Sequence, residues 1–316
     1  MNKKNVLNAV LLALGCGLAM SSYAGAIKAD ANSTYKPTGK GWGELVPPNY
    51  LHNEASQARA SKHGGGGTTN GISYHGGPVM LGTTNIYYIW YGNWSGYSAA
   101  KTILPDLMPG LSGSPIFNIN TSYYDGNNNH VANSVNLVSQ VSDSGSQGTV
   151  LDDNAVQTIV ANAINNLGLP MDTNALYFVL TAPDVQETSG FGSQYCGWHT
   201  KGTINGQTVK YSFVGNPVTQ APSGCGANNP SPNGDAGADA MASIMFHELS
   251  ETVTDPELNA WYDTRGNENA DKCAWTFGTT YTTSNGAKAN VNLGGRDWLL
   301  QQNWLNANGG SCVLSY

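Results

Sequence analysis

Between Thr84 and Gly92 the chain reads TNIYYIWYG, a run dense in aromatic and β-branched residues and closed by a glycine. Such residues pack well on a pleated surface, so this run is expected to be a core strand. Further on, ALYFVLTAP at 175–183 is a short apolar run of the buried-strand type, and QTVKYSFVGNP at 207–217 alternates as a second strand does. Helical periodicity appears between them. Val156, Ile159, Val160, Ala163, Ile164 and Leu167 fall on one helical face, Asp152 or Asp153 can cap its start, and Gly168 and Pro170 stop it. An earlier stretch, SAAKTILPDLMPGL, is weakly helical and limited in length by Pro105 and Pro109. At 316 residues and 40% apolar the chain can bury a sizeable core. With no fixed-period repeat and no long linker, the interleaved elements predict an α/β or α+β fold, a single domain with a mixed sheet and flanking helices.

Only 11% of the residues are charged and glycine contributes 39, a composition of secreted, turn-rich proteins. The N-terminus agrees. Lys3 and Lys4 precede an apolar run from Val6 to Met20, and Ser22-Tyr23-Ala24 offers small residues where a signal peptidase cuts, so residues 1–24 read as a signal peptide. Cys16 does not read as a lipoprotein anchor, because Ala13 stands where the lipobox normally has leucine and the apolar run continues past the cysteine. Cleavage before Gly25 takes the formal charge from −7 to −9, which argues against nucleic acid or an anionic membrane as partner. No later apolar run approaches the ~20 residues of a transmembrane helix. Residues 25–69 are polar and Gly-rich, ending in HGGGGTTNG, and read as an extended leader; residues 70–316 form the domain proper.

Four cysteines follow the signal segment: Cys196, Cys225, Cys273 and Cys312. An even count in an exported chain favours two disulfides, and no C-x-x-C spacing supports a metal site made of cysteines alone. Three pairings exist; Cys196–Cys225 with Cys273–Cys312 neither nests nor crosses and is the preferred one.

The chemistry concentrates in SIMFHELSETVTDP, residues 243–256. A helix that starts near Asp235 or Asp239 and stops at Pro256 places Asp239, Ser243, His247, Glu251 and Asp255 on one stripe, with Ala242, Met245, Phe246, Leu249 and Val253 off it. His247 and Glu251 therefore stand side by side with Glu248 on the flank. This is the geometry of the H-E-x-x-H zincin helix, in which two helical residues ligate zinc and the intervening Glu is the general base, except that here the second ligand is Glu251. Acids four residues from a histidine are common on solvated helices, and the bland alternative is an acidic surface. Against it, residues 248–271 hold seven of the chain's 21 acids, Glu248, Glu251, Asp255, Glu257, Asp263, Glu268 and Asp271, facing the single base Arg265. Carboxylates that dense repel unless solvated or neutralised by a cation. Glu268 or Asp271 can supply a third ligand and Asp255 a supporting contact. Zinc is the expected ion because of His247, and calcium is the alternative because the site is rich in oxygen. His199, in CGWHT, is either a further ligand or a structural neighbour of Cys196, and His75, in YHGGPV, lines a loop. The absence of a G-x-S-x-G elbow sets aside a serine hydrolase, and YDGNNNH fails the EF-hand pattern.

SYHGGPVMLGTTNIYYIWYGNW, CGWHTKG, KYSFVGNP, SPNGDAGADAM, TVTDP, AWYD and GGRDWLLQQNW…SC, taken in order, resemble the EXORDIUM or phosphate-induced protein 1 family from about Ser73 to the C-terminus. The resemblance implies a secreted protein, known chiefly from plants as apoplastic and cell-wall-associated, without a firmly assigned biochemical activity. Plant members generally lack the histidine corresponding to His247, so the chain resembles a microbial branch with an intact HExxE helix. Two functions follow as expectations. One is a secreted zinc-dependent hydrolase, peptidase-like, with Glu248 as general base and His247, Glu251, Glu268 and Asp271 as metal residues. The other is a non-catalytic wall- or matrix-associated protein with a structural calcium or acidic cluster. The partner is an extracellular substrate or a wall polymer. Sequons at Asn32, Asn93 and Asn120 bear on glycosylation only in a eukaryotic secretory pathway.

Overall fold

The computed structural model describes residues 36–40 and 71–316. The signal segment and most of the leader lie outside the described residues. After a short strand β1 (Ser73–Tyr74), the aromatic run is strand β2 (Thr84–Tyr91), buried along its length except at Asn85. The proline-limited stretch yields two short helices, α1 (Ala100–Ile103) and α2 (Leu107–Leu111), separated by a 3-10 turn that contains Pro105. There follow β3 (Val135–Asp143), β4 (Val150–Leu151), α3 (Asp153–Asn165), β5 (Ala175–Thr181), β6 (Gln186–Glu187), β7 (Gly197–Ile204), β8 (Gln207–Gly215), α4 (Ala236–Thr254) and β9 (Trp261–Tyr262). Three small hairpins, the last of which pairs Asn303–Leu305 with Ser311–Val313, complete the C-terminal part.

Five strands form the central sheet in the order β3-β2-β5-β8-β7, all parallel except β7, which returns antiparallel on β8. The fold is thus mixed α/β. Every residue of β5 is buried, as a central strand covered on both faces requires. Two glycines of β7 show what covers it. A Cβ on Gly202 would meet the Gln157 side chain of α3 at 2.8 Å, and one on Gly197 would meet Ile244 of α4 at 2.5 Å. Five residues along a strand reverse the face, so α3 and α4 lie on opposite sides of the sheet. By the same alternation His199 points towards α4.

The two long helices begin alike. Asp152 accepts from the Ala155 N–H at 2.8 Å and Asp235 from the Ala238 N–H at 3.0 Å, satisfying donors that the first turn leaves unpaired. Helix α3 ends sooner than its apolar pattern suggests. The chain turns at Gly168, with φ +88°, Leu167 is exposed, and Leu169 is the residue that folds back to be buried, its N–H bonding the Ala163 carbonyl.

Both expected disulfides are present, Cys196–Cys225 and Cys273–Cys312, with Cα atoms 5.5 Å and 5.6 Å apart. Of the sequons, Asn93 is exposed, but Asn120 is fully buried and accepts from the Asn269 and Asn303 side chains, which leaves no room for a glycan there. No described helix is long and apolar enough to cross a membrane. Within the segment read as a leader, residues 36–40 pack on the domain: Lys40 bonds Asp153 and Ser189, and the Gly39 carbonyl accepts the His199 N–H at 3.0 Å.

Candidate metal centre

Helix α4 is buried all round; every one of its residues after Ala236 is buried. That excludes the acidic-surface reading, because His247, Glu248 and Glu251 are each at most 1% exposed. They face two other segments. His199 arrives from β7, on the sheet face that α4 covers, and Glu268 and Asp271 arrive from the loop after β9. Gly197 permits the approach, since a Cβ there would lie 3.1 Å from Glu248 Oε1.

Glu251 is the centre of the arrangement. Its Oε1 is 3.1 Å from His247 Nε2 and accepts the Asp271 N–H at 3.0 Å, while its Oε2 is 3.5 Å from His199 Nε2. His199 Nε2 also stands 3.1 Å from Glu268 Oε2, and His247 Nε2 stands 3.7 Å from Asp271 Oδ1. The Glu268 N–H in turn donates to Asp271 Oδ2 at 2.9 Å, so the loop orients its own two carboxylates. Glu268 Oε1, inside this buried group, has no hydrogen-bond partner among the described residues.

Not every acid of the stretch takes part. Asp255 caps the end of α4 and holds the following turn by accepting the Asn259 and Ala260 N–H groups at 2.6 and 2.7 Å. Glu257 pairs with Lys201 nearer the surface, and Asp263 closes its own turn by accepting from Arg265 and Asn267. At the other end of the stripe, Asp239 is bonded by Asn233 and Ser243 accepts the Gln301 N–H. His75 stacks on Tyr262 with ring centroids 3.7 Å apart, away from the group. His199, set beside the disulfide by its sequence position, faces Glu251 and Glu268 instead. The alternation of β7 decides this, and no pattern in CGWHT announces that strand.

Burial disfavours charge on both imidazoles, yet Glu268 and Glu251 around His199, and Glu251, Asp271 and Glu248 around His247, more than offset it and raise both pKa values well above the ordinary range. Glu251 shows the reverse balance: burial would raise its pKa, and the two histidines pull it down to about 2. Burial also raises Glu268 and Asp271, and the neighbouring Glu251 carboxylate adds to both shifts. Desolvation raises Asp255 to about 6, against the two amides it accepts.

Do these residues fit a metal? Zinc with bonds of roughly 2.0–2.2 Å to nitrogen and oxygen, in tetrahedral geometry, separates neighbouring ligand atoms by about 3.4 Å. The four imidazole–carboxylate separations of 3.1, 3.1, 3.5 and 3.7 Å bracket that edge, and the two longest are too long for good hydrogen bonds. Beside the group, over Asp239 and Ser243, lies a cleft of about 180 Å³ walled by Pro230, Trp275 and Phe277, with Lys288 at its edge. Ser243 precedes His247 by one helical turn, roughly 6 Å along the axis.

The described residues thus set a buried histidine–carboxylate group on α4, against one face of a mixed sheet. The conserved region of phosphate-induced protein 1 matches residues 72–304, and the chain belongs to that family. It is 31% identical to Protein EXORDIUM-like 5 of Arabidopsis thaliana over 87% of this chain and 86% of that one. Identity is likewise 31% to Protein EXORDIUM-like 3 of the same plant, over 78% and 82% of the two chains, and 29% to Protein PHOSPHATE-INDUCED 1 of Nicotiana tabacum, over 60% and 67%. No solved structure matches the chain significantly.

Proposed function

We propose that this chain is a secreted, metal-binding member of the family, in which zinc joins α4 to β7 and to the loop bearing Glu268 and Asp271. One observation carries the reading: imidazoles and carboxylates from three separate segments converge out of water at ligand-edge spacing. Two nitrogen donors favour zinc over calcium, which prefers an all-oxygen shell. Both disulfides support export to an oxidising compartment, and each is near a member of this group in the sequence, Cys196 three residues before His199 and Cys273 two after Asp271.

Burial supports a structural role. Structural zinc sites are closed and catalytic ones keep a position open to substrate; Glu248, the only candidate general base on the helix, is fully buried. The metal is therefore structural, and the protein acts as a non-catalytic wall- or matrix-associated component. A hydrolase reading, with Glu248 as general base, is favoured by the cleft one turn from His247.

Elemental analysis of the purified full chain, with thermal melts before and after chelation, tests the proposal. Bound zinc and a lower melting temperature after chelation are expected, since metal-site formation is coupled to folding. Absence of metal after purification and after zinc addition overturns it. Zinc-dependent peptide hydrolysis, reduced by orders of magnitude in Glu248→Gln with the metal retained, would replace the structural role by the catalytic one.

A further inference from the structure

The ligand atoms do not form one shell. Two triads lie within 4.8 Å internally, His199 with Glu248 and Glu251, and His247 with Glu251 and Asp271. Among the described residues no such triad contains both histidines, whereas Glu251 belongs to both. The division reaches to single atoms: Oε2 of Glu251 faces His199 and Oε1 faces His247. Each histidine has its own second carboxylate, Glu268 at 3.1 Å for His199 and Asp271 at 3.7 Å for His247. We propose that the centre binds two divalent ions bridged by the Glu251 carboxylate, one held by His199, Glu248 and Glu268, the other by His247 and Asp271. The inference rests on the metal-binding reading above and adds the number and placement of the ions.

Charge distinguishes one ion from two. Glu248, Glu251, Glu268 and Asp271 sum to four negative charges when ionised, in a site whose side chains are at most 5% exposed. One divalent ion leaves two of those charges buried without compensation, a state that costs several kcal/mol per ion in a protein interior. Two ions balance all four while both imidazoles stay neutral, the form in which histidine ligates metal. A carboxylate spanning two imidazole-bearing triads is also the arrangement that holds two ions at roughly 3.5–4 Å, as two-metal sites do. Glu268 stands against His199 through its Oε2 at 3.1 Å, and its Oε1 is buried without a hydrogen-bond partner among the described residues, a free ligand atom on a side chain of the His199 half.

The test uses the full chain, stripped with chelator, dialysed and titrated with zinc alone, the bound metal being counted by elemental analysis. Two zinc ions per chain are expected in the wild type, and one in each of His199→Ala and His247→Ala. No zinc in the wild type would overturn the metal-binding reading itself. One zinc in the wild type would leave that reading standing and overturn the two-ion centre, and two zinc ions retained in both single variants would overturn the assignment of ligands. Because a variant can fail to fold, the wild type is also loaded with manganese alone and read by electron paramagnetic resonance. A spin-coupled pair spectrum is expected; the six-line signal of isolated manganese at full loading would overturn the bridge.

Discussion

Helices α3 and α4 start with the same device and lead to opposite environments. Helix α3, of 13 residues, buries Val156, Ile159, Val160 and Ala163 and leaves its polar residues at the surface. Helix α4, of 19 residues, is buried all round although it carries His247, Glu248 and Glu251. On α3 the polar residues are exposed or half-buried, reaching water or a partner at the rim such as Lys40 or Asp143, so the helix depends chiefly on its apolar stripe. On α4 water is excluded, and every charge must find its counter-charge within the protein. Two helices of comparable capping thus depend on different physics: α3 on packing, α4 on the partners brought to it by β7 and by the loop after β9.

The largest effect that separates them is expected at Glu251. Replacing it by Ala removes the acceptor that both histidines share, leaving buried imidazoles and carboxylates without their common partner, and is expected to cost about 3–5 kcal/mol. Chemical denaturation checks the stability and elemental analysis the zinc, which should be lost. On α3 the matching change is Ile159→Ala, fully buried in the wild type and expected to cost about 2–5 kcal/mol as a cavity. Zinc content should stay unchanged. If Ile159→Ala emptied the centre, or Glu251→Ala left stability intact, the division between a packed helix and a neutralised one would fail.

How much of this was legible in the sequence follows the same division. The β2 and β5 runs are continuous and apolar, and the apolar face of α3 and the polar stripe of α4 are periodic; runs and periods alike are local information. The two disulfide pairs were open to a topological argument because only four cysteines follow the signal segment. Strand β7 was not legible, since Gly197, Lys201 and Gly202 interrupt its pattern, and with it went the direction of His199. That histidine is aligned by register with Ser212 of β8, a long-range fact. The burial of α4 was hidden for a related reason: a stripe of His and Glu looks the same on a solvated helix. Seven acids around one arginine was the sole hint, and it over-counted, because Glu257 and Asp263 are used elsewhere.

Smaller changes sharpen the comparison at the helix starts. Asp152→Ala and Asp235→Ala each remove one capping acceptor, and each is expected to cost about 1 kcal/mol by denaturant midpoint. Since the cap lies roughly three turns before His247 and roughly four before Glu251, Asp235→Ala should keep its zinc. Loss of metal in that variant would mean that the centre depends on the whole helix and not on its last two turns.

The smallest expected effect is one of pH, on the α3 side. Asp143, at the end of β3, accepts from the Gly145 and Ser146 N–H groups, the Ser146 hydroxyl and the Asn162 amide of α3. Burial alone would raise its pKa; these donors outweigh it, and the net value lies below the usual carboxylate range. A folded-state pKa below the unfolded one means that the contribution to stability is complete above the ordinary aspartate value of 3.8 and is lost as pH falls through the depressed folded value. Zinc-loaded protein should therefore lose a small increment of stability from this residue between about pH 5 and the acid limit. Asp143→Asn, which keeps the shape but cannot titrate, should flatten that part of the curve while leaving zinc content untouched. An unchanged acid limb would assign the loss to the carboxylates around α4, and the polar links of α3 to its sheet would then be indifferent to charge.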